Sequence, residues 1–239
     1  IYGNQVLPNS QIVLDFFVEV PRDFGKTVHG FQDDFSGAVR DPNWVSVSVD
    51  QDLYVQTDGV LKIPTMFGNP NHLLYQAPGY STDIQEVLVR MRFKTLAVSG
   101  ANAIVGVAVG ANPNTAPPGF AINLVFLNTF PGGVVGPHVK ILNDFVAWGP
   151  EVPNFAPQFN TWYWLRLRQS GSDTTAGPNL FAKAWLADGT ESEPADWQLT
   201  WAQGGRTGFA GIKGPSEGAE TDAEVDYILI KAEGLPSIQ

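Results

Sequence analysis

The chain lacks cysteine entirely and contains only three histidines and two methionines among its 239 residues. Without cysteine it has no disulfides, no thiol nucleophile and no cysteine-ligated zinc. It also lacks a run of 18 apolar residues, which excludes a predicted transmembrane helix. Neither a Gly-x-Ser-x-Gly nucleophile turn nor a glycine-rich phosphate loop leading into a helix is present. These absences remove several common kinds of catalytic chemistry before any fold is considered.

Basic residues are also scarce, since 14 lysines and arginines face 24 aspartates and glutamates and give a formal net charge of −10. Nucleic acids and anionic membranes attract proteins with broadly basic surfaces. We therefore expect no nucleic-acid partner and no membrane insertion.

Apolar and turn-forming residues are plentiful. The chain is 44% hydrophobic, with 15 phenylalanines and 7 tryptophans, and 25 glycines and 18 prolines separate short apolar runs. Such punctuation indicates many short strands, and no segment has the sustained three- and four-residue spacing of an amphipathic helix. The sequence predicts an all-β fold in which two antiparallel sheets pack face to face.

The chain divides into a short prefix and a long β domain. Residues 1–27 contain one strand-like segment at 11–20 and are predicted to be an N-terminal arm, a strand of a preceding unit or an extra strand of the main sheet. An exposed strand can extend the sheet of a neighbouring protein, so this arm is a candidate contact for a protein partner. We expect residues 28–239 to form one domain, because β-sandwiches of this length commonly remain undivided.

Three segments, 87–94, 162–168 and 180–186, alternate strictly between apolar residues and basic or tryptophan residues. Alternation of this kind predicts strands with one buried face and one exposed face. If the strands pair, the exposed face is cationic and carries tryptophan; the alternative is a row of solvated charges that keeps the sheet soluble. The residues predicted to point outward are Arg90, Arg92, Lys94, Trp164, Arg166, Arg168, Lys183 and Trp185.

The order of several short motifs resembles the concanavalin A-like and laminin-G-like jelly-roll superfamily over about residues 31–232. The motifs include Asp33-Asp34-Phe35, Trp44, Asp58-Gly59, Gly119-Phe120, Glu193-Pro194, Gly208-Phe209 and Glu224-Val225-Asp226-Tyr227. The resemblance implies a two-sheet jelly-roll β-sandwich on an extracellular, cell-surface or virion-surface protein. It leaves function open, because members include lectins, carbohydrate-binding modules, glycoside hydrolases, polysaccharide lyases, adhesins and surface structural proteins.

No complete catalytic motif accompanies the resemblance, and we predict no catalytic residue. Hydrolases of this fold carry three acids on one strand, whereas the similar string here has Glu224 and Asp226 but no third acid. A retaining glycosidase needs two carboxyl groups about 5 Å apart, a role that the following isoleucine and leucine cannot fill. Lyases of the fold use histidine or tyrosine bases, and His29, His72 and His138 all lie outside the arginine-bearing segments.

The resemblance also implies that the first and last strands meet, a closure that often holds a structural calcium ion. Calcium takes six to eight oxygen ligands. Five acids lie within residues 217–226, and we predict Asp34 and Asp226 as side-chain ligands of a possible calcium ion. A solvated acidic loop is the alternative interpretation.

The outward tryptophans best suit carbohydrate binding, because the C–H faces of sugar rings stack on aromatic rings while adjacent polar groups pair with hydroxyls. We predict stacking on Trp164 and Trp185, and also on Trp148, which the sequence places at a loop tip. The basic residues would bind hydroxyls, or the carboxylates of uronic or sialic acids; they are Arg90, Arg92, Arg166, Arg168 and Lys183. Burial of these tryptophans in the core is the alternative.

The predicted function is therefore that of a non-catalytic, lectin-like carbohydrate-binding module with a glycan or polysaccharide partner. The alternative is a structural, assembly or adhesion protein, such as a virion decoration, a phage fibre or a cell-surface domain. A polysaccharide-degrading enzyme is the third possibility.

Overall fold

The structure is a computed structural model that describes residues 30–47, 53–63, 72–94, 103–114, 119–127, 136–143, 147–214, 223–235 and 238. For residues 103, 123–127, 147 and 148 it describes the backbone alone. The predicted N-terminal arm, residues 1–27, and the first part of the acidic run, residues 217–222, lie outside the described residues.

The described residues form fifteen strands and no α-helix, in agreement with the all-β prediction. The first eight strands are β1 Phe31–Asp33, β2 Trp44–Val47, β3 Val55–Thr57, β4 Val60–Ile63, β5 His72–Tyr75, β6 Ile84–Phe93, β7 Ala103–Ala111 and β8 Phe120–Leu127. The others are β9 His138–Asn143, β10 Ala147–Glu151, β11 Tyr163–Ser170, β12 Leu180–Leu186, β13 Leu199–Trp201, β14 Phe209–Lys213 and β15 Ala223–Lys231. Within the described ranges, no helix has the length and apolar character needed to cross a membrane.

The strands make two antiparallel sheets. Sheet A has the order β13-β12-β11-β6-β15-β4-β3. On the edge of β15 that faces away from β6, β4 pairs with the N-terminal half of the strand and β1 pairs with its C-terminal half. Sheet B has the order β10-β9-β8-β7-β14-β5-β2. The first and last described strands thus meet in sheet A, as the sequence predicts.

The alternation of apolar residues accounts for the packing of the two sheets. Val89, Leu165 and Ala184 occupy the inner face of sheet A and are fully buried in one cluster with Val107 and Ile141 of sheet B. Neighbouring side chains along a strand point to opposite faces. The arginines and tryptophans between these apolar positions therefore lie together on the outer face of sheet A.

Candidate functional site

The three alternating strands pair as predicted. Trp164 lies opposite Trp185 on β12 and opposite Arg90 on β6, and Arg166 lies opposite Lys183. We call this outer surface the arginine face, made of Arg90, Arg92, Arg166, Arg168, Lys183, Trp164 and Trp185. The alternation in the sequence correctly predicts that these residues lie on one side of one sheet.

Carboxylates neutralise one end of the arginine face. Arg166 Nε donates to Glu86 Oε1 at 2.6 Å, and its Nη2 donates to the carbonyl oxygen of Ile238 at 2.7 Å. Glu193 accepts from both Arg166 and Lys183, the latter at 3.0 Å. The indole of Trp197 lies over both cations, with Arg166 Cζ 5.1 Å and Lys183 Nζ 5.0 Å from the ring centroid. The basic groups of Arg166 and Lys183 are therefore both already paired with groups of the protein itself.

The other end of the face is paired in the same manner. Arg92 Nη2 and Lys94 Nζ lie 2.6 and 2.9 Å from the two oxygens of Glu224. Burial raises the pKa of Glu224, but the hydrogen bonds from Lys94 and Arg92 outweigh it and hold the pKa below its ordinary value. Arg90 Nη1 lies 2.6 Å from Asp226 Oδ2, at a bulge in β15. Burial raises the pKa of Asp226 to about 6 in spite of the neighbouring Arg90.

The tryptophans of the arginine face are buried. Trp164 is 3% exposed and Trp185 5% exposed, whereas the alternation predicts that both rings face solvent. The two rings stack with centroids 6.2 Å apart, and Tyr227 meets Trp164 edge-on at 5.7 Å. Ile238, near the end of the chain, is buried in the same cluster. The predicted exposure is wrong because a second, smaller apolar cluster covers the outer face.

A sugar could reach these two rings only if covering residues moved, and their part in binding stays a prediction. The part of the five basic residues of the face in binding also stays a prediction. Arg168 is half-buried and lines a small cavity of about 80 Å³ with Glu86 and Lys231.

Trp148 lies within strand β10, opposite Leu142, and the predicted loop tip is therefore wrong. The apolar run 145–148 marks the strand, but the glycine and proline that follow it suggest a turn. Its side chain is outside what the structure describes.

The two predicted calcium ligands do not form a calcium site as placed. Asp34 Oδ1 accepts hydrogen bonds from the amide and hydroxyl of Ser36 at 3.0 and 2.6 Å, and Asp226 is paired with Arg90. Calcium requires six to eight oxygen ligands. In the described part of the chain, no group of three or more histidine, aspartate or glutamate side chains is arranged to hold a metal ion. Calcium binding stays a prediction.

A pocket of about 380 Å³ opens at one end of the sandwich, and we call it the end pocket. Its walls come from the start of β11, the end of β12, the 152–162 loop between the sheets and the turn after β12. The antiparallel pairing of Tyr163 with Leu186 brings the two strand ends together. The lining residues are Asn154, Phe155, Ala156, Gln158, Thr161, Tyr163, Leu186, Asp188 and Glu191.

Two acidic side chains of the end pocket are each held through one oxygen. Asp188 Oδ1 accepts from the amide of Thr190 at 2.9 Å and from its hydroxyl at 2.6 Å. These bonds keep the pKa of Asp188 below its ordinary value, so the group is ionised at neutral pH. Glu191 Oε2 accepts from the amide of Leu186 at 3.1 Å.

Two aromatic rings line the end pocket beside these acids. Tyr163 is buried, and its hydroxyl accepts from the amide of Gln158 at 2.8 Å. The half-buried ring of Phe155 meets it edge-on, with centroids 5.5 Å apart. Asn154 stands at a positive φ of 58°, a conformation that asparagine tolerates better than most residues.

Sequence reasoning missed the end pocket. Its residues come from two segments whose proximity depends on the pairing register, and the alternation in 162–168 predicts that Tyr163 points into the core. The one local signal is Asp188-Gly189-Thr190, a turn sequence directly after a strand.

Several solved structures share this architecture. The VIP36 exoplasmic/lumenal domain in its Ca²⁺/Man₂-bound form aligns with a TM-score of 0.53 and 13% identity, over 87% of this chain and 89% of that one. A structure from work on endo-acting O-glycanases of the human gut microbiota aligns at 0.52 with 14% identity, over 84% and 98% of the two chains. The GH43 protein BlXynB of Bacillus licheniformis aligns at 0.51 with 13% identity, over 84% of this chain and 39% of that one.

No protein-family model matches the chain, and no curated protein matches it. At these identities the likeness to solved structures establishes the fold alone. The chain has the concanavalin A-like jelly-roll fold that its sequence predicts.

Proposed function

We propose that the chain is a non-catalytic carbohydrate-binding module of an extracellular or surface protein. The observation that carries the proposal is the fold, which is shared with a lumenal domain solved with bound Man₂ and with an O-glycanase structure. Because a fold hosts many functions, residues of this chain must support the proposal as well. The end pocket supports it, since aromatic rings, amides and carboxylates are the groups that bind sugars.

The non-catalytic part of the proposal is supported by the state of the acids on β15. Glu224 and Asp226 are the two carboxylates that match the hydrolase pattern, and both are ion-paired to arginines of β6. A glycosidase requires one carboxyl group that gives up a proton and another that attacks the sugar or activates water. As placed, Arg92 and Lys94 occupy the two oxygens of Glu224, and Arg90 occupies Oδ2 of Asp226, so these oxygens are engaged by groups of the protein itself.

A glycan array tests the proposal directly. The purified chain is applied to immobilised neutral, amino and acidic oligosaccharides in buffer, with chelator, and with chelator followed by excess calcium. We expect selective binding to one class of sugar. Loss with chelator and recovery with calcium would assign a metal requirement, whereas binding unaffected by chelator would show that calcium is not needed.

A blank array in all three buffers, from protein whose folding is verified by its melting curve, would contradict the proposal. Slow release of reducing ends from a bound oligosaccharide would contradict its non-catalytic part. In the first case the scaffold or adhesion function becomes the better account.

A further inference from the structure

We infer that the end pocket, rather than the arginine face, is the sugar site, and that it takes a neutral or amine-bearing sugar residue in preference to an acidic one. This inference rests on the proposed function and adds to it a site and a class of ligand.

The dimensions of the end pocket suit a small part of a glycan. Its volume of about 380 Å³ lies near the lower end of the range of about 300 to 1,000 Å³ that small-molecule sites span. Residues 152–162 and the turn after β12 border it on two sides. The end of a glycan chain fits such a pocket better than the middle of a long polymer does.

The lining groups match a ligand with many hydroxyls. The amides of Asn154 and Gln158 can both donate and accept hydrogen bonds, and Thr161 adds a hydroxyl. The carboxylates of Asp188 and Glu191 accept only, and each is oriented by a bond from the protein to one oxygen. Acceptors that are fixed before binding lose little entropy when they engage a hydroxyl.

The aromatic rings provide an apolar surface next to these polar groups. Phe155 is half-buried and rests edge-on against the buried ring of Tyr163, which holds it in place. A sugar has apolar C–H faces as well as hydroxyls, so a site that presents both kinds of group recognises both properties.

The charge of the pocket selects against acidic sugars. Asp188 and Glu191 line it, and its lining includes no lysine, arginine or histidine. The arginine face would have favoured uronic or sialic acids, but acids of the protein already pair Arg90, Arg92, Arg166 and Lys183. An anionic sugar in the end pocket would meet two like charges, whereas an amino sugar would meet two opposite ones.

The test uses three pocket variants and a matched control. Asp188→Asn and Glu191→Gln remove charge at nearly constant shape, and Phe155→Ala removes the half-buried ring. The control is Asp173→Asn, because Asp173 Oδ1 accepts from the amide and hydroxyl of Thr175 at 2.8 and 2.7 Å in the same kind of exposed turn, outside the pocket. Melting curves of all four variants verify that each is folded.

Each protein is titrated against immobilised oligosaccharides that end in mannose, galactose, N-acetylglucosamine or glucosamine, and against others that end in glucuronic acid or N-acetylneuraminic acid. We expect the wild type to bind a neutral or amino sugar. Asp188→Asn and Glu191→Gln should bind that sugar at least about tenfold more weakly, because each weakens a hydrogen bond to a charged group. Phe155→Ala should also weaken binding, because it removes the stacking surface, while Asp173→Asn binds normally. The double variant Asp188→Asn/Glu191→Gln should gain affinity for glucuronic acid relative to the wild type.

Normal sugar binding by all pocket variants would overturn the inference and leave the proposed function standing. Preference of the wild type for the acidic sugars would overturn it in the same way. Absence of binding to every oligosaccharide would overturn the proposed function, and the inference with it.

Discussion

At the scale of single residues, Asp226 has the most strongly raised pKa among the carboxyl groups that the structure describes. Its Oδ2 pairs with Arg90, while its Oδ1 is buried without a hydrogen-bond partner. Burial disfavours the charged form, and the neighbouring arginine compensates only in part, so that its pKa rises from 3.8 to about 6. At neutral pH the ionised carboxylate of Asp226 therefore destabilises the folded state.

The raised pKa predicts how stability depends on pH. The contribution of protonated Asp226 is fully present below about pH 3.8, the value in the unfolded chain, and is lost as the pH rises through about 6. A shift of this size corresponds to about 3 kcal/mol. As the pH is raised from 4 to 6.5, the wild type should lose this contribution and Asp226→Asn should not. The unfolding free energy of the variant should therefore rise relative to that of the wild type, as measured by urea unfolding at each pH.

The comparison cancels contributions that the two proteins share. Glu224, whose pKa is lowered, acts in the opposite direction, because its contribution is lost as the pH falls below its ordinary range. Since Glu224 is present in both proteins, the difference between them isolates Asp226. Parallel curves for the two proteins across this range would show that Asp226 has no raised pKa.

At the scale of strands, the arginine face shows how far alternation predicts structure. Period-two patterns locate β6, β11 and β12 and the inner face of each strand. They do not reveal what covers the outer face, because Glu86, Glu193 and Ile238 come from distant parts of the chain. Strand β3 has only three residues and is too short to show such a pattern.

The buried ion pairs of this face predict a large effect of Arg166→Leu. The change would leave Glu86, only 4% exposed, without its cation, and removal of one partner of a buried pair typically costs about 3 to 5 kcal/mol. The control is Lys140→Leu on sheet B, whose ion pair with the exposed Glu151 is long at 3.7 Å, and for which we expect less than about 1 kcal/mol. Urea unfolding of both variants measures the difference.

A double variant separates the ion pair from simple packing. Arg166→Leu/Glu86→Leu removes both charges and should recover much of the stability that Arg166→Leu loses. If the double variant were instead as unstable as the sum of the two single variants, the pair would have no coupling and the face would depend on packing alone.

At the scale of the whole molecule, the fold was predictable and the site was not. The resemblance carried by motifs spread along the chain implies the jelly-roll fold and the meeting of its first and last strands, and β1 indeed pairs with β15. The end pocket requires the register that sets Tyr163 beside Leu186 and the path of the 152–162 loop, and neither leaves a local pattern. The basic residues were predicted to bind sugar hydroxyls or the carboxylates of acidic sugars, but most of them pair with acids of the protein itself.

The central claim is that this jelly roll binds a neutral or amino sugar in its end pocket. The most direct test is an NMR titration of the deuterated, ¹⁵N-labelled chain with mannobiose, lactose, chitobiose and glucosamine. We predict shifts in the backbone amides of Gln158, Thr161 and Glu191, with the indole signals of Trp164 and Trp185 unchanged. Shifts at those two indoles and at the side chains of Arg90 and Arg166, with silent pocket amides, would contradict the account and return the site to the arginine face.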